Sequence, residues 1–141
     1  MKNTVSTFLS MKQNGERLTE ITSYDYTTAK LVEKAGINAI LVGDSLGMTM
    51  MGYDTTLPVT MEDMIHHSAC VVRACENTMV IMDMPFMSYQ ASIVDAMYNA
   101  ARFLKETGCT AVKLEGGSEV VPLVERLTQA GIPVCTHIGL T

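Results

Sequence analysis

The sequence predicts an α/β protein built on a parallel sheet, and three observations carry that prediction. Short apolar runs of about five residues alternate with amphipathic stretches of helical period. A helix–glycine–strand unit recurs at Ala35-Gly36-Ile37, Thr107-Gly108-Cys109 and Ala130-Gly131-Ile132. The strands that follow then close on Gly43, Gly116 and Gly139. Strands alternating with helices in this way pair in parallel through right-handed crossovers. Strands this short suit a (βα)8 barrel or a flavodoxin-like sheet, and the pattern alone does not choose between them.

The elements follow in order. Residues 18–23 form a first predicted strand, and residues 26–35 a helix stopped by Gly36, where a left-handed backbone costs little. A second strand covers 39–42 and runs into Gly43-Asp44-Ser45 and a Gly- and Met-rich loop at 46–58. Thr60-Met61-Glu62-Asp63 reads as a capping signal for a helix over 61–75, with Met61, Met64, Ile65, Ser68, Val72 and Cys75 at helical spacing. A third strand, 78–82, ends at Asp83-Met84-Pro85. The next helix starts near Ser92, presents Ile93, Met97, Ala100 and Leu104 on one face, and stops at Gly108. A fourth strand, 110–114, ends at Glu115-Gly116-Gly117, and Ser118 is expected to cap a helix terminated by Gly131. The fifth strand, 133–137, ends at Ile138-Gly139-Leu140-Thr141.

Composition narrows the function classes. With 48% hydrophobic and 18% charged residues, the chain is globular rather than disordered. A formal net charge of −5 with no Lys/Arg run argues against nucleic acid and anionic membranes as partners. No apolar run is long enough to span a bilayer, and the N-terminus lacks the apolar core of a signal peptide, so a cytoplasmic location is expected. None of Cys70, Cys75, Cys109 and Cys135 forms a C-x-x-C pair, which argues for reduced thiols over zinc or redox chemistry. The 12 methionines are read as core filling. The 141 residues carry no linker-like segment and are read as one domain.

In both candidate architectures ligands bind at the carboxyl ends of the strands. Those ends present Asp44 and Ser45, then Asp83, then Lys113 and Glu115, then His137. Lys113 and Glu115 lie two apart and so face one side of their strand, with Val112 and Leu114 facing the helices. Three carboxylates drawn to one place repel one another, and a hard divalent cation such as Mg²⁺ relieves that. The plainer alternative is an ordinary Lys113–Glu115 ion pair, with the aspartates capping turns. His137 is read equally well as a satisfied core histidine or as a ligand-binding group.

Gly43-Asp44-Ser45-Leu46-Gly47 also fits the G-x-S-x-G pattern and looks like the signature of GDSL esterases, with Asp63-Met64-Ile65-His66 as a D-x-x-H block. Against this, the segment after Gly47 is a poor helix start, and Asp63 is better explained as part of a cap.

Six blocks are more specific. Ile21-Thr22-Ser23-Tyr24-Asp25-Tyr26, Leu41-Val42-Gly43-Asp44-Ser45-Leu46-Gly47-Met48 and Thr56-Leu57-Pro58-Val59-Thr60 resemble the ketopantoate hydroxymethyltransferases. So do Asp83-Met84-Pro85-Phe86-Met87, Val112-Lys113-Leu114-Glu115-Gly116-Gly117 and Val134-Cys135-Thr136-His137-Ile138-Gly139-Leu140-Thr141. The resemblance implies a (βα)8 TIM barrel, here partial, with about five βα units. It implies transfer of a hydroxymethyl group from 5,10-methylenetetrahydrofolate to 3-methyl-2-oxobutanoate, giving 2-dehydropantoate in pantothenate biosynthesis.

By the same resemblance, Mg²⁺ is held at Asp44, Asp83 and Glu115. The 2-oxo acid is held at Asp44, Ser45, Asp83 and Lys113, and His137 is a further active-site group. The chemistry is coherent: Mg²⁺ acts as a Lewis acid that stabilises the enolate at C3, while Lys113 and Ser45 bind the substrate carboxylate. The enzyme alternative is a metal-dependent phosphoenolpyruvate- or oxaloacetate-type lyase on the same barrel. The non-catalytic alternatives are a half-barrel that pairs with another chain and a degenerate binding module.

The resemblance also implies a catalytic base and three further strands beyond Thr141, so the sequence is expected to be a truncated piece of a longer chain. The isolated 141 residues are expected to fold poorly and to be inactive, and the complete enzyme to be a homo-oligomer.

Overall fold

A computed structural model describes residues 2–139. It contains one five-stranded parallel sheet: β1 (Glu20–Thr22), β2 (Ala39–Val42), β3 (Met79–Asp83), β4 (Ala111–Glu115) and β5 (Val134–His137). The strands lie side by side in chain order, β1-β2-β3-β4-β5. Sequential order is the winding of a barrel; a flavodoxin-like sheet reverses its order at a switch point. The ambiguity left by the sequence pattern is therefore resolved in favour of a partial barrel. Among the described residues β1 and β5 each pair on one side only.

The helices are α1 (Val5–Gln13), α2 (Tyr26–Lys34), α3 (Leu46–Thr49), α4 (Met61–Ala74), α5 (Ile93–Thr107) and α6 (Val121–Gln129). Alternation along each strand divides the sheet into two faces. The outer face buries Ile40, Val42, Val80, Met82, Val112 and Leu114 in one cluster with Ala29 of α2, Met64 and Val71 of α4, Phe103 of α5 and Leu127 of α6. Removing a fully buried ring such as Phe103 from it costs about 3–5 kcal/mol. The inner face carries a second, smaller cluster of Ala39, Met79, Ile81 and Ala111, against which Phe8 of α1 packs. α1 thus covers the amino-terminal end of the inner face.

Several sequence expectations are corrected. The loop expected at 46–58 opens with the helical turn α3, because buried Leu46 anchors it and Met50 N–H closes onto Leu46 O at 2.8 Å. α1 was not expected; its apolar stripe is only Val5, Phe8 and Leu9, and none of its residues is fully buried. On α5 the expected Met97, Ala100 and Leu104 do pack on the core, joined by buried Ala96 and Phe103, whereas Ile93 is exposed. On α4 the expected face holds, with Met64 and Ser68 buried and Met61, Ile65, Val72 and Cys75 packed on the core; Val71 and Ala74 add to it, and the Thr60–Asp63 capping box forms as expected. Ser118 caps nothing: a short 3-10 turn, Ser118–Val120, leads into α6, and Gly117 N–H donates to Glu119 instead, at 2.7 Å. β3 and β4 reach one residue further than expected, so Asp83 and Glu115 are strand residues. Leu140 and Thr141 of the last motif block lie outside the described residues.

Candidate active site

The site grows out of strand register. Asp83 of β3 is paired with Lys113 of β4, and Glu115 of β4 with His137 of β5. All four therefore stand on the inner face, in two adjacent rows at the carboxyl end. Val112 and Leu114, between them in sequence, are fully buried on the outer face, as the alternation predicts.

The side chains meet as the register dictates. Lys113 Nζ donates to Asp83 Oδ1 at 2.7 Å and to Glu115 Oε1 at 3.2 Å. His137 Nδ1 lies 3.2 Å from the same Glu115 oxygen. The other Asp83 oxygen, Oδ2, accepts the Asp44 backbone N–H at 3.1 Å, which ties the β2 loop to β3. Gly43 permits that approach: a Cβ there would stand 2.8 Å from Ser45 Oγ and 3.3 Å from Asp83 Oδ2. Ser45, Asp44 and Asp83 therefore crowd one corner of the site.

Two residues that the sequence reading did not single out complete this corner. Tyr24 OH lies 2.8 Å from Ser45 Oγ, and His67 Nδ1 is 2.7 Å from the Tyr24 backbone oxygen. Tyr24 sits just past the first strand, so its strand-end position was the available signal. His67 had little: His66 and His67, adjacent on a helix, face different directions, so at least one of them reads as a surface residue, and His66 is the exposed one. Ser45 thus has a tyrosine partner. Asp63 is engaged by Thr60 in the α4 cap, at 2.9 Å to N and 2.7 Å to Oγ1, so the esterase arrangement of Ser45, Asp63 and His66 is not assembled.

Asp44, Asp83, Lys113 and Glu115 line a cavity of about 760 Å³. Leu57, Met84, Phe86 and Ile93 give it an apolar rim. Burial, and then the charges of Asp83 and Glu115, push the Asp44 carboxyl up to about 6, against the opposing pull of Lys113 and Thr56. Burial alone would lower the Lys113 ammonium, but its bonds to Asp83 and Glu115 outweigh that and hold it above its ordinary range. Lys113 is therefore a charged, largely shielded cation fixed between two carboxylates.

The donors suit a hard cation. Three carboxylates face one ammonium, and carboxylate oxygens are the donors a hard divalent cation takes. Among the described residues, no three His, Cys, Asp or Glu side chains form a ready metal cage. The Lys113 ammonium bridges two of the three carboxylates.

Comparison with known proteins defines the class first. The fold is shared with 2,3-dimethylmalate lyase, a member of the PEP mutase/isocitrate lyase superfamily (TM-score 0.68, 14% identity, 96% of this chain and 53% of that one). It is shared also with oxaloacetate acetylhydrolase (TM-score 0.67, 11% identity, 94% and 52%). A third such structure is phosphonopyruvate hydrolase in complex with oxalate and Mg²⁺ (TM-score 0.64, 17% identity, 79% and 38%). At these identities the likeness is one of fold.

The family follows from sequence. The model of the ketopantoate hydroxymethyltransferase family matches residues 2–141, and the chain belongs to that family. It is 61% identical to the 3-methyl-2-oxobutanoate hydroxymethyltransferase of Clostridium novyi (strain NT), over 100% of this chain and 51% of the relative. It is 57% identical to that of Enterococcus faecalis (strain ATCC 700802 / V583), with the same coverage. The chain spans about half the length of the curated relatives it matches.

Proposed function

We propose that these residues form the 2-oxo-acid end of the active site of a 3-methyl-2-oxobutanoate hydroxymethyltransferase. The observation that carries this is Lys113, fixed between Asp83 and Glu115 and beside Asp44 at one cavity, in a chain of that family. The Lys113 ammonium pairs with the carboxylate of 3-methyl-2-oxobutanoate. Ser45, oriented by Tyr24, donates a hydrogen bond to the same carboxylate. Asp44, Asp83 and Glu115 hold Mg²⁺, and His137 steadies Glu115. When bound, such an ion supplies Lewis acidity beside the keto oxygen and favours loss of the C3 proton. The C3 carbanion so formed attacks the formaldehyde-level one-carbon unit of 5,10-methylenetetrahydrofolate; water supplies the hydroxyl oxygen and tetrahydrofolate leaves, giving 2-dehydropantoate for pantothenate biosynthesis.

The base for that proton, and the strands that pair with β1 and β5, belong in this reading to chain outside residues 1–141. The setting is cytoplasmic; no helix among the described residues is long and apolar enough to cross a membrane. The complete enzyme is a homo-oligomer, for which exposed Leu31, Val94, Tyr98 and Val121 supply apolar contact surface.

The test is to supply the full-length chain with 3-methyl-2-oxobutanoate, 5,10-methylenetetrahydrofolate and Mg²⁺ and to measure 2-dehydropantoate. Product that requires all three is the expected result. No folate-dependent product, with cleavage of 2,3-dimethylmalate or oxaloacetate instead, would assign the chain to the lyases.

A further inference from the structure

Glu115 occupies the last position of β4, and its main chain has an unusual partner. Gly116 N–H donates to His137 O on the β5 side, at 3.2 Å, while Lys113 O accepts Met84 N–H on the β3 side, at 2.8 Å. Main-chain groups alternate between the two neighbours along a strand, so those of Glu115 face the β3 side. The pairing of β3 with β4 has already ended there, at Asp83 and Lys113, so no strand neighbour meets these two groups. A buried peptide left unpaired at that point would be costly.

The hydroxyl of Tyr89 takes the place of the missing strand. It donates to Glu115 O at 3.1 Å and accepts Glu115 N–H at 3.2 Å, so one side chain satisfies both groups of one residue. Tyr89 is itself buried, 9% exposed, in the loop between β3 and α5. It packs in the main core, and its ring also lines the cavity.

We propose that Tyr89 is a positioning residue: its hydroxyl fixes the end of β4 and thereby aims the Glu115 carboxylate into the site. The clamp itself stands on the geometry; its consequence for a bound cation rests on the metal role of Glu115 proposed above. Groups that orient a ligating carboxylate typically contribute about 10- to 100-fold to metal affinity.

The test is Tyr89→Phe in the full-length chain, which removes the hydroxyl and keeps the ring. Two readouts are taken, amide hydrogen exchange at Glu115 and Mn²⁺ affinity by titration of the free-ion EPR signal. The expected results are Glu115 exchange faster by about tenfold or more, with the Val112 amide, bonded to Pro133 O, unchanged, and Mn²⁺ binding weaker by about tenfold or more. Unchanged Glu115 exchange would overturn the clamp. So would a wild-type Glu115 amide that exchanges as fast as an exposed loop amide, a result that needs no variant. Faster exchange with unchanged Mn²⁺ affinity would reduce Tyr89 to a structural role and overturn the positioning proposal. A wild-type chain that binds no Mn²⁺ would overturn the metal reading of Glu115, and the exchange result would still decide the clamp.

Discussion

Lys113 and Asp83 are cross-strand partners in register, and their side chains join at 2.7 Å, Nζ to Oδ1, on the inner face of the sheet. Both are largely shielded, with side chains 14% and 10% exposed. A pair placed this way is costly to break from one side, since the remaining carboxylate is left without its counter-charge. The same register sets Glu115 against His137. Backbone pairing therefore prescribes the order Asp83–Lys113–Glu115–His137 before any ligand arrives.

Lys113→Met keeps the length of the side chain and removes the charge. It is expected to destabilise the protein by about 3–5 kcal/mol at pH 7. Substrate-dependent turnover of the full-length chain is expected to fall at least about 100-fold, since a charge-assisted partner of the substrate carboxylate is lost. Urea unfolding and steady-state kinetics check the two parts separately. Stability within about 0.5 kcal/mol of wild type would show the pair to be a weak surface interaction.

Tyr24→Phe removes the 2.8 Å partner of Ser45 Oγ. One hydrogen bond is worth about 0.5–1.5 kcal/mol, which corresponds to a rise of about 2- to 12-fold in KM for the 2-oxo acid. The constant kcat is expected to stay within about twofold, because the bond orients a binding group. An effect on kcat alone would show that Ser45 acts in the chemical step.

Glu33, on α2, holds the start of β3. Its carboxylate accepts Asn77 N–H at 2.9 Å, the Asn77 amide at 3.0 Å and Thr78 N–H at 3.0 Å. Burial by itself would raise this carboxyl, but the bonds from Thr78 and Asn77 outweigh it and hold it at about 2, below the ordinary 4.5. A depressed carboxyl stabilises the fold above its unfolded pKa, and that contribution is lost as pH falls through the folded value. The contribution is therefore full above about pH 5 and disappears toward pH 2. Glu33→Gln is expected to cost about 1–2 kcal/mol at pH 7, allowing for solvent screening, and much less near pH 2. Thermal unfolding at both pH values checks this; an equal loss at both would contradict the linkage.

Much of this architecture was legible in the sequence because strand ends and helix stops are marked by residues with few alternatives. Gly36, Gly108 and Gly131 adopt positive φ where each helix terminates, and the strands begin a few residues later. Lys113 and Glu115 could be assigned to one face because strand periodicity is two. Tyr89 was not legible, and Tyr24 was marked only by its place just past the first strand, since each acts through its hydroxyl on a group distant in sequence, 26 and 21 residues away. The ammonium bridge was half legible: Lys113 and Glu115 follow from spacing, but Asp83 joins them only through the register of β3 with β4. α1 was passed over because its stripe is short, Val5, Phe8 and Leu9 after the Thr4 cap, and none of these residues is fully buried.

The carboxylate–ammonium cluster is expected to bind a 2-oxo acid together with a divalent cation. The decisive measurement is calorimetric titration of 3-methyl-2-oxobutanoate into the full-length chain, with and without Mg²⁺, in wild type and Asp83→Ala. The predicted result is binding that strengthens at least about tenfold with Mg²⁺ in wild type and shows no such gain in Asp83→Ala. Equal affinity with and without Mg²⁺, unchanged by Asp83→Ala, would contradict it.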